Sequence, residues 1–373
     1  MTRIYLDYNA STPVEPSVAL AMQAATEAYG NPSSAHWAGA SAKRRLDRSR
    51  GHVAALLGCL PQEIVFTGGG SESNNLALKG LYFAQGNRAA HIITSAVEHP
   101  AILEPCRFLE RLGARVTYLP VDFTGRIDPT DLESAITPDT ILVSVMHANN
   151  EVGTIQPIEE CARIARSRGV LFHTDAAQSV GKIRTRVNEL GADLLSVAGH
   201  KLYGPKGVGA LYVRSGIGLE PVIHGHGHES GRRAGTESVM LAAGLGAACA
   251  LAEDLSWTQR ARELRDRMWN ALRERLGDRI VLNGHAEYRL PNTLNVSVVG
   301  RAGAEVLAAL EGVAASTGSA CHSGRVELSP VLRAMGVGAA AGMGAIRFSL
   351  GRGTTREEIE TTIDRMTEIV GQP

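Results

Sequence analysis

Seven short apolar runs, rich in β-branched residues, recur from position 64 onward: 64–67, 91–95, 115–119, 140–146, 170–174, 193–197 and 208–213. Each has the length of a strand and not of a helix. Helical patterns lie between several of them, as at 101–112 and 158–167. Strands alternating with helices specify an α/β layer built on a largely parallel sheet. Parallel neighbours need a crossover, and most of these spacings accommodate one. The last two runs stand too close together for that, so one strand of the seven is expected to run antiparallel.

The remaining chain flanks this region. Residues 3–16 read as an extended arm ending at Pro13 and Pro16, 17–29 as a helix, 30–37 as a polar loop and 40–57 as an arginine-rich amphipathic helix. A long Ala/Leu/Arg helix follows position 235, and 257–276 is also helical. From about 279 the pattern mixes strands (294–299, 345–350) with helices (304–310, 356–369). A chain of 373 residues exceeds one ordinary core. The expected division is a large α/β domain over 16–255 and a smaller α+β domain formed by 1–15 plus 256–373.

Lys+Arg and Asp+Glu both number 38, giving a formal net charge of zero. Nothing in that balance favours nucleic acid or an acidic membrane surface. No apolar run approaches the roughly 20 residues that span a bilayer, and the start lacks the regions of a signal peptide, so a cytoplasmic protein is expected. The five cysteines are scattered, with no C-x-x-C pair, which argues against a disulfide framework or a cysteine zinc site. Cys321 alone sits among small and polar residues, in Gly318-Ser319-Ala320-Cys321-His322-Ser323-Gly324. A thiolate there is a nucleophile that a nearby cation would activate.

Several stretches carry chemistry. Gly199-His200-Lys201 lies in a turn between two strands, and Lys201 is one of only five lysines. Such an amine can form a Schiff base with a carbonyl cofactor, which arginine cannot; a solvated turn lysine is the plainer reading. Thr67-Gly68-Gly69-Gly70-Ser71 runs from a strand into a helix, an arrangement suited to a phosphate or to simple helix capping. His99 follows a strand and precedes a helix, placed to stack on a planar ring or to cap. Asn150 also follows a strand. Asp175 ends a strand that should be buried, so its carboxylate needs a partner, either a protonated pyridine nitrogen or, more plainly, the backbone of a helix it caps. Arg347 stands inside an apolar strand, as a carboxylate anchor or in a structural ion pair. His224, His226 and His228 alternate, yet no acidic or cysteine cluster completes a metal site there.

Together and in order, from Leu6-Asp7-Tyr8-Asn9-Ala10 to Arg347-Phe348-Ser349-Leu350-Gly351-Arg352, these residues resemble the fold-type I pyridoxal-phosphate enzymes. Within them the chain is similar to the class V aminotransferase group and to its cysteine desulfurases of the NifS/IscS type. The resemblance implies pyridoxal 5'-phosphate as cofactor and conversion of L-cysteine to L-alanine. It implies that Lys201 forms the Schiff base and shuttles the proton, Asp175 partners the ring nitrogen, Gln178 donates to the ring oxygen and His99 stacks on the ring. Gly70, Ser71 and His200 would meet the phosphate, with Thr236 reaching it from the neighbouring subunit of a homodimer. Asn150 and Arg347 would hold the substrate carboxylate. Cys321 would carry the sulfur as a persulfide for an acceptor protein.

Two departures stand out. Ala198 occupies a position where relatives usually carry a serine, so one phosphate hydrogen bond is missing. Cys321 is followed by His322-Ser323 where Thr-Ser is usual, and the Ala-Cys-His-Ser string is also similar to selenocysteine lyases. A selenocysteine lyase, another lyase or aminotransferase of the same scaffold, and a degenerate sulfur-carrier docking scaffold therefore remain open at this level.

Overall fold

The computed structural model describes residues 3–86, 90–317 and 328–371, together with the backbone of 321–322 and 325–326. The arm begins with strand β1 (Ile4–Tyr5). Seven strands then form the main sheet: β2 (Ile64–Thr67), β3 (His91–Ser95), β4 (Arg115–Leu119), β5 (Thr140–Ser144), β6 (Leu171–Asp175), β7 (Leu194–Ala198) and β8 (Gly209–Val213). Their order is β2-β8-β7-β6-β5-β3-β4. β3 to β7 pair in parallel, whereas β8 runs antiparallel to both β7 and β2. The expected antiparallel strand is thus β8. The turn that carries Lys201 is too short for a crossover.

The sheet is buried on both sides, which explains its nearly continuous apolar strands. One face packs on a core that includes Leu46, Val53, Phe172, Val197, Leu245 and Ala248. The other packs on Leu76, Leu81, Ile92, Ile102 and Leu211. The helix Trp37–Leu57 ends at Gly58, whose φ of +70° is the left-handed cap that glycine supplies. That helix begins earlier than the expected position 40, because His36 Nδ1 accepts the Gly39 N–H at its start. The first helix, Pro16–Ala25, ends before the expected 29. There the Thr26 N–H and hydroxyl both turn back onto the Gln23 carbonyl and close it.

The C-terminal part holds a second, antiparallel sheet. Strands β9 (Ile280–Asn283), β10 (Thr293–Val298), β12 (Ser316–Thr317) and β15 (Ala345–Ser349) run in the order β12-β15-β10-β9, while β11 (Val313–Ala314) pairs with β1. The helices Trp257–Leu276 and Arg356–Gly371 pack on this sheet around Leu264, Met268, Phe348 and Ile363. Leu6 joins that core, so the N-terminal arm is anchored here before it crosses to the main sheet. β13 (Cys321–His322) and β14 (Arg325–Val326) form a hairpin. Among the described residues no single helix is long and apolar enough to cross a membrane.

The C-terminal ends of β2, β3, β5, β6 and β7 lie along one edge of the main sheet. The chain steps outward from β3 to β4 and returns to β5 on the other side of β3. In open α/β sheets this reversal marks where ligands bind.

Candidate active site

A cavity of about 380 Å³ opens at that edge, within the usual range for a small-molecule site. Nine residues singled out from the sequence line it: Gly70, Ser71, His99, Asn150, Asp175, Gln178, His200, Lys201 and Arg347. They come from six separate stretches of chain, so the fold alone brings them together.

Asp175 is the last residue of β6 and is 6 % exposed. Its Oδ1 accepts the Ala177 N–H at 2.9 Å and its Oδ2 accepts Asn74 Nδ2 at 2.7 Å. Those two donors fix the carboxylate and leave lone pairs free for a further donor. Asn74 belongs to the helix Gly70–Gln85 and lines the cavity. Sequence reading missed it, though its signal was present. Asn74, Ala77, Leu78 and Leu81 share the i, i+3, i+4, i+7 stripe of that helix, and an amide on an apolar stripe requires a partner.

Lys201 follows β7 in a single turn of 3-10 helix. Its Nζ donates to the main-chain oxygens of Asn9 at 2.5 Å and Ala10 at 2.8 Å. Burial, and then the nearby Arg347 guanidinium, bring its pKa down to about 8 from an ordinary 10.5, with Asp175 and Asp7 opposing. The amine is thereby available as a nucleophile and base near neutral pH.

His99 caps the helix Pro100–Glu110, its Nδ1 accepting the Ala101 N–H at 3.0 Å. The neutral ring therefore carries its proton on Nε2. Although the ring is open to the cavity, its surroundings lower its pKa, burial leading and the Asp175 charge opposing. His200 Nδ1 meets Ser11 Oγ at 3.2 Å, and burial followed by Lys201 and Lys206 pushes its pKa down to about 4.

Arg347 is paired inside the protein. Its Nη2 donates to Asp7 Oδ1 at 2.7 Å and to Ser316 Oγ at 3.0 Å, and its Nη1 to the Asn150 carbonyl at 2.8 Å. The ion pair that β15 requires is thus internal, while the buried Nε has no hydrogen-bond partner among the described residues. Asn9 was also passed over in the sequence. Its carbonyl accepts from Lys201 and from Gln178 Nε2 (2.9 Å), and its Nδ2 donates to Thr293 Oγ1 (2.9 Å).

Two sequence candidates are not placed in this cavity. Thr236 is exposed and does not line it. The Cys321 side chain lies outside the described residues.

The cavity suits the cofactor implied by the sequence. It offers an amine, a fixed carboxylate, an amide donor and an imidazole, with the start of a helix at Gly70 and Ser71. Gly69 has φ +149°, and a Cβ on Gly70 would stand 3.1 Å from Ala198 Cβ. The glycines therefore keep this helix start bare of side chains, as a phosphate cradle needs.

The sequence model of class-V aminotransferases matches residues 4–362. The chain belongs to the class-V aminotransferase family. Its relatives in that family include proteins named cysteine desulfurase IscS. The one from Dictyoglomus turgidum is 48% identical over 372 residues, covering 98% of this chain and 94% of the relative. That of Pectobacterium carotovorum is 47% identical over 377 residues, covering 99% and 93%. Among solved structures, a NifS-like protein superposes with a TM-score of 0.93 at 39% identity, covering 99% of this chain and 100% of that one. SspA in complex with cysteine gives 0.84 at 39% identity, covering 94% and 99%. This class-V aminotransferase thus stands with the cysteine desulfurases of the NifS/IscS type and has the fold-type I architecture.

Proposed function

We propose that this protein is a pyridoxal-phosphate-dependent cysteine desulfurase that converts L-cysteine to L-alanine and retains the sulfur on Cys321. The observation that carries the reading is the convergence of the Lys201 amine, the Asp175 carboxylate and the Arg347 guanidinium on one cavity. When bound, the cofactor supplies an electron sink that makes the substrate Cα proton acidic.

Lys201 is the amine that would hold the cofactor, and it then moves the Cα proton, a task suited to a pKa of about 8. Asp175, fixed by Asn74 and Ala177, would meet the ring nitrogen, Gln178 the ring oxygen and His99 the ring face. Gly70, Ser71 and His200 would hold the phosphate. Thr236, exposed on its own protomer, fits a role at the cavity of the second subunit of a homodimer. Arg347 and Asn150 would bind the substrate carboxylate. The Cys321 thiolate attacks the substrate sulfur: an S–S bond forms, the C–S bond breaks, and the carbon takes a proton. In sum, cysteine and a thiol give alanine and a persulfide. That persulfide passes to a sulfur-acceptor protein, as in supply to iron–sulfur cluster assembly. The four described cysteines are free thiols, in keeping with a cytoplasmic enzyme.

The test is turnover of L-cysteine by the cofactor-loaded protein with a reductant. Equal amounts of alanine and sulfide are expected, with loss of both in Lys201→Ala. Pyruvate in place of alanine would instead make the enzyme a β-eliminating lyase.

A further inference from the structure

Lys182 is a buried ionisable side chain beside the cavity to which this reading gives no task. It is 4 % exposed. Its Nζ donates to two oxygens, Gln178 Oε1 at 2.9 Å and Asn9 Oδ1 at 3.2 Å. Among the described residues it takes part in no ion pair with a carboxylate. Both partners are oxygens, so the Lys182 nitrogen serves as the donor to each. Burial holds its pKa well below the ordinary lysine value, and the Lys201 and Arg347 cations push the same way.

The partner matters more than the charge. A glutamine amide offers N–H at one end and a carbonyl at the other, and the two ends are nearly the same size. Which end faces a ligand is decided by what holds the other end. Lys182 only donates here, so it holds the Gln178 oxygen. The Gln178 nitrogen donates to the Asn9 carbonyl and keeps a second N–H. Asn9 has anchors independent of Lys182, in Thr293 Oγ1 at 2.9 Å and Asn292 Nδ2 at 3.1 Å. Removing the Lys182 amine therefore leaves Gln178 Oε1 as the orphaned group. A buried oxygen without a donor drives its amide to turn or shift.

We propose that Lys182 is a positioning residue that holds the Gln178 amide with its N–H end, and not its carbonyl, offered to the cavity. The inference rests on the reading of this cavity as a pyridoxal-phosphate site in which Gln178 donates to the ring oxygen. A donor there favours the anionic ring oxygen and weakens proton binding at the lysine-linked nitrogen, so its loss raises the pH midpoint of the cofactor's visible band.

The experiment is a pH titration of that band in the cofactor-loaded full chain, for wild type, Lys182→Met, Gln178→Met and the double variant. Lys182→Met is expected to raise the midpoint by about half to one unit, roughly three- to tenfold in proton affinity, as for one hydrogen bond. Gln178→Met raises it at least as far, and the double variant no further, because Lys182 acts through Gln178. Lys182→Leu is titrated alongside, so that poor packing of one replacement does not decide the result. An unchanged midpoint in the Lys182 variants overturns the proposal. So do Lys182 and Gln178 shifts that add in full, which would mean Lys182 acts directly by charge. A wild-type chain that develops no band overturns the functional reading itself, and this inference with it.

Discussion

The lowered pKa of Lys201 has two removable causes of opposite sign. In the cofactor-free protein its amine titrates at about 8 instead of 10.5. At about pH 7.5, roughly one quarter of such amines are neutral, against roughly one in a thousand for an ordinary lysine, about a two-hundredfold difference. Burial is the largest cause and Arg347 the next; Asp175 and Asp7 act against them. Arg347→Met removes a cation and frees the Asp7 charge, and both changes favour the protonated amine. A rise of about one unit, the usual effect of one nearby charge, slows reaction at pH 7.5 roughly eightfold. The midpoint nevertheless stays below 10.5 because burial remains. Asp7→Asn removes an anion and lowers the midpoint. The assay is labelling by a limiting amine reagent across pH 6.5–10, with the Lys201 peptide quantified by mass spectrometry. Lys43, whose side chain is 63% exposed, serves as reference. A wild-type midpoint near 10.5, or shifts of the same sign in Arg347→Met and Asp7→Asn, would refute the electrostatic account.

Asn74→Ala removes a 2.7 Å hydrogen bond to a buried carboxylate. A bond to a charged group is worth about 1.5–3 kcal/mol, so cofactor affinity should fall roughly ten- to a hundredfold in an equilibrium titration. Ala198→Ser restores the hydroxyl that the resemblance leads one to expect, and cofactor binding should tighten about two- to tenfold. Acid should destabilise the fold. Burial holds His147 at about 4 and His173 at about 3, and His91 is held at about 4 by burial and then Arg115. All three lie below the ordinary 6.5, so the unfolded chain binds more protons. Their stability contribution is present above pH 6.5 and is lost as pH falls toward those values, at up to about 1.4 kcal/mol per unit for each. Glu98, raised to about 8 by burial, acts oppositely between 4.5 and 8 but is outnumbered. Calorimetry should give a Tm that falls from pH 6.5 to 4.5, with a shallower slope in His173→Gln.

The main sheet was legible because both faces of its strands, the edge strand β4 apart, are buried, so they read as apolar runs. β2, β3 and β4 have the expected limits, and the tight β7–β8 turn gave away the antiparallel strand. The first two helices were misjudged at their ends because local side-chain bonds at His36 and Thr26 set those limits, not periodicity. In the site, Asp175, Lys201 and Arg347 announced themselves as charges at strand ends or inside apolar runs. Asn9 and Lys182 did not, and Asn74 showed only as an amide on an apolar helix stripe, with no sign of its partner. Their roles depend on partners such as Thr293, 284 residues from Asn9, or Asp175, 101 residues from Asn74. No local pattern carries pairings of that range. Asp7 was legible only as the start of a motif, although it is the counter-ion of Arg347.

The central claim is that sulfur from L-cysteine comes to rest on Cys321. The most direct measurement is mass spectrometry of the cofactor-loaded protein after one equivalent of L-cysteine without reductant. The account predicts one added sulfur atom on the Cys321 peptide, together with one equivalent of alanine, and neither in Cys321→Ala. Full release of alanine by Cys321→Ala, or sulfur found on another cysteine, would contradict it.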